Sequence, residues 1–240
     1  MVRYGIALCL LALAVACQGT RAGDTAEKDP VVVQRDLPEI REDGKLRALI
    51  SYSATGYFLY RGQPMGYEYE MLTRLAKHLG VELELRVAQD LDQMLEILQN
   101  GQVDLVAHGL AITEGRKKEV SFSDYFYLTK QVLVQRKPDN WRSLTLDAIG
   151  KTLIQDPVEL IRDTVSVRKN SSYLSRLVHL SREIGGPSIV DTLEGNLSTD
   201  EIIQMVVDQK IKNTVEDLHQ AQINASRYPL LGVRVPGSLS

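Results

Sequence analysis

The sequence predicts an α/β protein made of two small lobes. Strand-like and helix-like apolar patterns alternate between residues 46 and 107, which favours a parallel sheet with helical crossovers on its faces. The alternation breaks at Lys137-Pro138-Asp139, which predicts a hinge, and a second alternating series follows. We therefore expect lobe 1 to cover residues 39–137 and lobe 2 to cover residues 138–240.

The N-terminus has the features of an export signal. Arg3 precedes an apolar run over residues 4–16, which is too short to span a bilayer and has the length of a signal-peptide hydrophobic region. The run ends in Leu13-Ala14-Val15-Ala16-Cys17, which resembles a bacterial lipobox and implies a signal peptide of residues 1–17 with lipidation at Cys17. Ordinary secretory cleavage near Arg21 is the alternative. Both place the chain outside the cytoplasm, and a lipid anchor would hold it on the periplasmic side of the outer membrane.

The next stretch, residues 18–38, is polar and without apolar periodicity, so it predicts a flexible tether. Lobe 1 then begins with a strand and a loop of small and aromatic residues at 51–58. Gly and Pro at 61–66 indicate a turn. The remaining patterns predict a helix that ends at Gly80, a strand at 81–87, a helix at 91–98 that ends at Asn100-Gly101, and a strand at 103–107.

A short apolar run at residues 132–134 precedes the predicted hinge. Beyond the hinge, residues 164–167 and 189–193 have the pattern of strands. N-cap chemistry at 170–172 begins a helix that ends at Gly185, and Ser198 begins another. A last strand at 211–215 and a helix at 217–225 complete lobe 2.

Composition excludes several classes of function. The formal net charge is −3, which argues against a nucleic-acid surface. Both cysteines, Cys9 and Cys17, lie in the N-terminal segment, so no disulfide framework is expected. The sequence has no Gly-rich phosphate loop and no His-Glu-x-x-His motif, and we predict neither a cofactor nor a metal.

Arg116 is the first candidate for binding. It follows the strand predicted at residues 103–107, and a guanidinium at the edge of a sheet offers a planar fork of donors that matches a carboxylate. Residue type alone leaves open a solvated arginine beside Lys117 and Lys118. His108 also allows two interpretations: it could be an ordinary packed histidine, or it could act as a ligand or a switch near a cleft.

Several ordered segments resemble the family 3 extracellular solute-binding proteins. They include Gly66-Tyr67-Glu68-Tyr69-Glu70, Asn100-Gly101-Gln102-Val103-Asp104, Thr113-Glu114-Gly115-Arg116 and Phe122-Ser123-Asp124. Residues 60–70, 131–138 and 167–173 are similar to the regulatory module of membrane-bound lytic transglycosylase F-like lipoproteins, which carry it ahead of a lysozyme-like domain that cuts peptidoglycan. The resemblance implies a two-lobed, type II periplasmic-binding-protein-like fold whose final return to lobe 1 is missing from this chain.

The resemblance also implies a set of ligand-binding residues. Arg116 matches the carboxylate-binding arginine, with Thr113 beside it, and Asp217 matches the aspartate that accepts an ammonium group. Asn170, Ser171 and Ser172 match a helix N-terminus that favours an anion, and Tyr57 and Phe58 match a loop whose aromatic residue packs on the ligand. The chain departs from the pattern at Ala111, where amino-acid binders often carry Ser or Thr, and at Glu216-Asp217-Leu218.

These features predict a binding module that closes on a small amino-acid-like or muropeptide-like ligand and regulates a peptidoglycan lytic transglycosylase. Its expected partners are that ligand, a membrane through the lipid anchor, and peptidoglycan through a C-terminal domain missing from this chain. The chain itself lacks the Glu-Ser helix start of such enzymes, so we do not expect catalysis. Alternatives are a stand-alone amino-acid transport binding protein, part of a full-length enzyme, or a fragment whose folding is impaired by an uncovered lobe 1.

Overall fold

The computed structural model describes residues 35–234, all of which belong to the unit Val32–Ser240. The predicted signal peptide, Cys17 and most of the predicted tether lie outside the described residues. None of the helices between residues 35 and 234 has both the length and the apolarity that crossing a bilayer requires.

Lobe 1 is built on a parallel sheet, as predicted. Its three strands have the order β4-β1-β5, and two short strands form the separate hairpin β2–β3. The elements are α1 (Leu37–Asp43), β1 (Lys45–Ile50), β2 (Phe58–Tyr60), β3 (Gln63–Met65), α2 (Tyr67–Leu79), β4 (Glu82–Val87), α3 (Leu91–Gln99) and β5 (Leu105–Ala107).

Strand β1 is buried because helices cover both faces of the sheet. Ala48 and Ile50 pack with Leu72 of α2 on one face. Leu49 points to the other face and packs with Met94 of α3. The apolar residues 48–50 at the end of β1 are typical of a central parallel strand. Because β1 and β5 pair in parallel, their carboxyl ends lie at the same edge of the sheet.

Lobe 2 contains an antiparallel sheet of order β10-β6-β9 and a parallel pair, β7-β8. The side chain of Asn213 joins the two by donating to the Thr164 carbonyl at 3.2 Å. The elements are β6 (Gln131–Arg136), α4 (Leu146–Thr152), β7 (Thr164–Arg168), α5 (Ser172–Glu183), β8 (Ile189–Leu193), α6 (Thr199–Val207), β9 (Asn213–Asp217), α7 (Leu218–Arg227) and β10 (Leu231–Arg234).

The core of lobe 2 lies on both faces of β6. Val132 and Val134 pack against Ile203 of α6 and Ala221 of α7. Leu133 points the other way and packs with Leu177 of α5 and Val165 of β7. This alternation makes β6 the central strand of the lobe.

The position of β6 corrects the predicted boundary between the lobes. We expected lobe 1 to extend to residue 137, yet residues 131–136 are hydrogen bonded to β9 and β10. Pro138 therefore marks the end of a strand of lobe 2, and the chain changes lobes earlier, between β5 and β6. The predicted tether also ends sooner than expected, because α1 begins at Leu37 and Arg35 already donates to Asp104 of lobe 1 at 2.8 Å.

Candidate functional site

Arg116 lies in a single turn of 3₁₀ helix, Arg116–Lys118, that follows β5. Its backbone N–H donates to the Thr113 hydroxyl at 3.3 Å, which holds the turn in place. Its guanidinium donates to the Ala111 carbonyl at 3.0 Å and to the Asn170 carbonyl of lobe 2 at 3.3 Å. Burial lowers the pKa of Arg116. This guanidinium therefore lies between the lobes.

The lobe 2 side of this contact is the junction of β7 and α5. Asn170 has φ 59°, in the left-handed region, and its side-chain amide donates to Asp92 of lobe 1. Ser171 is the N-cap of α5, with its hydroxyl accepting from the Leu174 N–H at 3.4 Å, and Ser172 is the first residue of the helix. The structure thus brings the predicted residues Asn170, Ser171 and Ser172 next to Arg116.

Asp217 ends β9 and precedes α7. Burial raises its pKa, while the charge of His219 acts in the opposite direction. Its neighbour Glu216 is fully buried, with a pKa also raised by burial. Glu216 Oε1 accepts from the Tyr173 hydroxyl at 2.6 Å and from the Asp217 N–H at 3.2 Å. At this departure from the family pattern, the Glu216 carboxylate is therefore hydrogen bonded within lobe 2, and the Asp217 carboxylate is half-buried.

Arg168 is a candidate that sequence reasoning missed. It ends β7 and donates to the Thr199 hydroxyl at 3.3 Å, while its Nε is buried with no hydrogen-bond partner among the described residues. A charged residue directly after the buried strand segment at 164–167 was the available signal, because ligands bind beyond the carboxyl ends of strands in α/β sheets.

His108 is a packed residue. Its Nδ1 lies 2.7 Å from the hydroxyl of Ser51, which is itself buried. Burial, together with the positive charges of Arg168 and Arg116, lowers the pKa of His108 to about 4. The imidazole is therefore neutral at pH 7. Within residues 35–234 there is no group of His, Cys, Asp or Glu side chains that could hold a metal ion.

The structure buries Tyr57 in the core of lobe 1. Tyr57 is only 8% exposed and packs with Ala48, Ile50 and Leu72 in the core of lobe 1. Its ring stacks on Tyr52 at a centroid distance of 5.2 Å. Phe58 opens the hairpin and is paired with Met65. Aromatic type and loop position could not distinguish Tyr57, which fills the core, from Tyr52, which is exposed.

A cavity of about 750 Å³ lies where the first turns of α2 and α7 approach residues 126–130. Its lining includes Tyr67 and Glu68 of lobe 1, Tyr127 of the crossover, and His219 of lobe 2. The rings of Tyr127 and His219 meet edge to face at 4.9 Å. No sequence motif indicated this cavity, because its walls come from three distant parts of the chain.

Side-chain hydrogen bonds join the two lobes at several points. Besides the contacts of Arg116 and Asn170, the Ala54 N–H donates to Asp200 at 3.2 Å, and the Gln220 amide donates to the Thr55 hydroxyl at 2.6 Å. These hydrogen bonds hold the two lobes in contact in this structure.

Comparison with known proteins identifies related sequences. The family described as bacterial extracellular solute-binding proteins, family 3, matches residues 45–223. A membrane-bound lytic murein transglycosylase F of Desulfosudis oleivorans is 31% identical over 202 residues, which are 84% of this chain and 41% of that protein. A protein of the same name from Shewanella pealeana is 25% identical over 96% of this chain and 43% of its own length. The chain thus spans about two fifths of the length of these relatives.

Solved structures share the fold. A truncated, arginine-bound form of ArgBP from T. maritima has a TM-score of 0.65 at 24% identity, covering 82% of this chain and 84% of that one. The ancestral amino acid-binding protein AncCDT-1 has a TM-score of 0.65 at 25% identity, covering 82% and 80%. Both comparisons support the predicted type II periplasmic-binding-protein-like fold.

Proposed function

Because the chain belongs to the bacterial extracellular solute-binding proteins of family 3, we propose that its lobes close on a small amino-acid-like ligand held by Arg116 and Asp217. One observation carries this proposal. Arg116 is half-buried between the lobes with carbonyl partners, and no carboxylate of residues 35–234 lies within ion-pair distance of it. A partly desolvated guanidinium without a counter-ion favours an anionic ligand group.

The surrounding residues suit the two ends of an amino acid. The ligand carboxylate would accept from Arg116 and from backbone N–H groups at the start of α5, where Ser171 and Ser172 lie and where the helix dipole favours negative charge. The ligand ammonium would donate to Asp217. Without such a partner, burial disfavours the negative charge of this carboxylate. Ligand contacts to both lobes would stabilise the closed population.

Substitution of Arg116 tests this site. We expect Arg116→Ala to weaken binding by at least about tenfold, because a charge-assisted hydrogen bond is lost. The twenty L-amino acids and a synthetic peptidoglycan stem peptide would be screened by thermal shift, and affinity for the best of them measured by calorimetry. Arg74→Ala, which changes an exposed arginine of α2, is the matched control. Equal affinity in the wild type and Arg116→Ala would rule out Arg116 as the anchor.

The relatives support a role for this binding module in the cell envelope. The chain is a solute-binding domain and not a catalytic domain, whereas its curated relatives carry the name of murein transglycosylases. We infer that the module senses an amino-acid-like or muropeptide-like ligand and regulates a peptidoglycan lytic transglycosylase on the periplasmic side. The lipobox-like sequence at Cys17 supports anchoring to the outer membrane, and peptidoglycan would be engaged by a separate catalytic domain.

A further inference from the structure

The cavity between α2 and α7 has an acidic group without a counter-ion. Glu68 lines it from the first turn of α2, and Glu68 Oε2 is buried with no hydrogen-bond partner among the described residues. That oxygen lies against Gly56, where it is shielded from water. Burial raises the pKa of Glu68, and the charge of His219 only partly opposes this. A cation in the cavity would stabilise this carboxylate.

The walls of the cavity also suit a cation. Tyr67, Phe126 and Tyr127 line it and remain 48%, 62% and 44% exposed. Exposed aromatic faces attract ammonium groups and pack on aliphatic stems. Lys130 also borders the cavity, but its side chain is exposed and can extend into solvent.

The cavity adjoins Asp217, one of the residues proposed to hold the ligand, along the chain. Asp217 is followed directly by Leu218 and His219, both of which line the cavity. The Tyr127 hydroxyl is close to Gly109, just beyond β5, and the charges of Glu68 and Asp217 both raise the pKa of Tyr127 after the effect of burial. The wall of the cavity therefore begins one residue beyond Asp217 along the chain.

We propose that this cavity receives the side chain of the ligand and that Glu68 selects an amino-acid-like ligand with a second, distal amine. The inference rests on the proposed function, since Arg116 and Asp217 must first hold the ligand's own carboxylate and amine. Glu68 then acts as the specificity-determining residue, and the aromatic walls pack on the aliphatic part of the ligand.

Calorimetry on the full chain with L-lysine and L-6-hydroxynorleucine tests the proposal. The two probes have side chains of the same length, and a hydroxyl replaces the ammonium group in the second. The wild type should bind lysine at least about tenfold more tightly, because lysine forms a charge-assisted contact. Glu68→Gln should reduce the affinity for lysine to that for 6-hydroxynorleucine and leave the latter unchanged. Glu70→Gln, an exposed carboxylate of the same helix, should change neither.

The outcomes separate this inference from the proposed function. If the wild type binds both probes equally and Arg116→Ala abolishes both, the role of Glu68 is overturned and the proposed site stands. If neither probe binds at millimolar concentration, the role of Glu68 is overturned, while the proposed site is tested separately by the screen of the twenty amino acids and the stem peptide. Thermal unfolding would detect a folding defect in Glu68→Gln. The proposal could still be refuted in that case, because the comparison of the two probes on the wild type needs no variant.

Discussion

His108 links the titration of a single partly buried side chain to the stability of the whole protein. Its pKa is held at about 4, chiefly by burial and then by the charges of Arg168 and Arg116, whereas an unfolded histidine titrates near 6.5. Between these values the unfolded chain binds a proton that the folded protein does not. The contribution of neutral His108 to the free energy of unfolding is therefore fully present above pH 6.5 and is lost as the pH falls towards 4.

Lowering the pH from 7 to 4.5 reduces the free energy of unfolding of the wild type. We predict that this reduction is smaller by about 2 kcal/mol in His108→Asn. Asparagine can keep a polar contact with Ser51 and does not titrate. Urea unfolding of the wild type and the variant at both pH values measures the difference. His179→Asn, at an exposed position of α5, should retain the pH dependence of the wild type. An unchanged pH dependence in His108→Asn would show that the imidazole is not held neutral.

The proximity of two candidate residues was predictable from the sequence. Arg116 and Asn170 were selected from matching segments, and the structure brings them into contact. Arg168 and Glu68 were missed because burial without a partner depends on distant elements. Tyr57 was expected against a ligand, but the structure buries it in the core, since the choice between Tyr52 and Tyr57 depends on the direction of each side chain.

The start of α2 depends on a close approach of two backbone segments. Gly66 has φ 128°, and a Cβ added there would lie 2.2 Å from the carbonyl oxygen of Gly56. The Tyr67 N–H donates to the Thr55 carbonyl at 2.8 Å, and the Tyr69 N–H to the Gly56 carbonyl at 3.2 Å. This packing positions Glu68 at the cavity.

We predict that Gly66→Ala lowers the free energy of unfolding by more than about 2 kcal/mol, because a backbone clash adds to unfavourable φ. Gly80→Ala, at the other end of the same helix, should cost only about 1 kcal/mol, because Gly80 has φ 74° with no atom within 4 Å of an added Cβ. Urea unfolding of both variants measures the comparison. Equal costs would mean that the Gly56 segment moves away without penalty.

Elements with strong local signals were predicted well. Helices α2, α3, α5 and α6 have amphipathic periodicity, and Gly80 and Ser198 end or begin them as expected. Four elements were missed: α1, α4, the β2–β3 hairpin and β10. Each has seven or fewer residues in any one helix or strand, so periodicity is weak, and β10 is defined by pairing with β6 about a hundred residues away.

At the scale of the whole molecule, closure of the lobes depends on a few polar contacts. Asp200, in the first turn of α6, accepts from the Ala54 N–H of lobe 1 at 3.2 Å and from the Asn224 amide of lobe 2 at 3.0 Å. Asp200 therefore binds the loop of lobe 1 that contains Ala54, while Asn224 of lobe 2 orients its carboxylate. The order of elements predicted the two lobes, but these contacts involve exposed polar residue types whose partners no local pattern specifies.

We predict that Asp200→Ala shifts the unliganded protein towards an open form and weakens ligand binding between about twofold and tenfold. The physical reason is that affinity scales with the population of the binding-competent state, and loss of the Ala54 contact reduces that population. Small-angle X-ray scattering should show a larger radius of gyration, and calorimetry the weaker binding. Asp208→Ala, at the C-terminal end of the same helix, changes a carboxylate that accepts from Gln204 within lobe 2 and should alter neither quantity. If both variants kept the wild-type radius and affinity, closure would have to depend on the other contacts between the lobes, which are those of Arg116, Asn170 and Gln220.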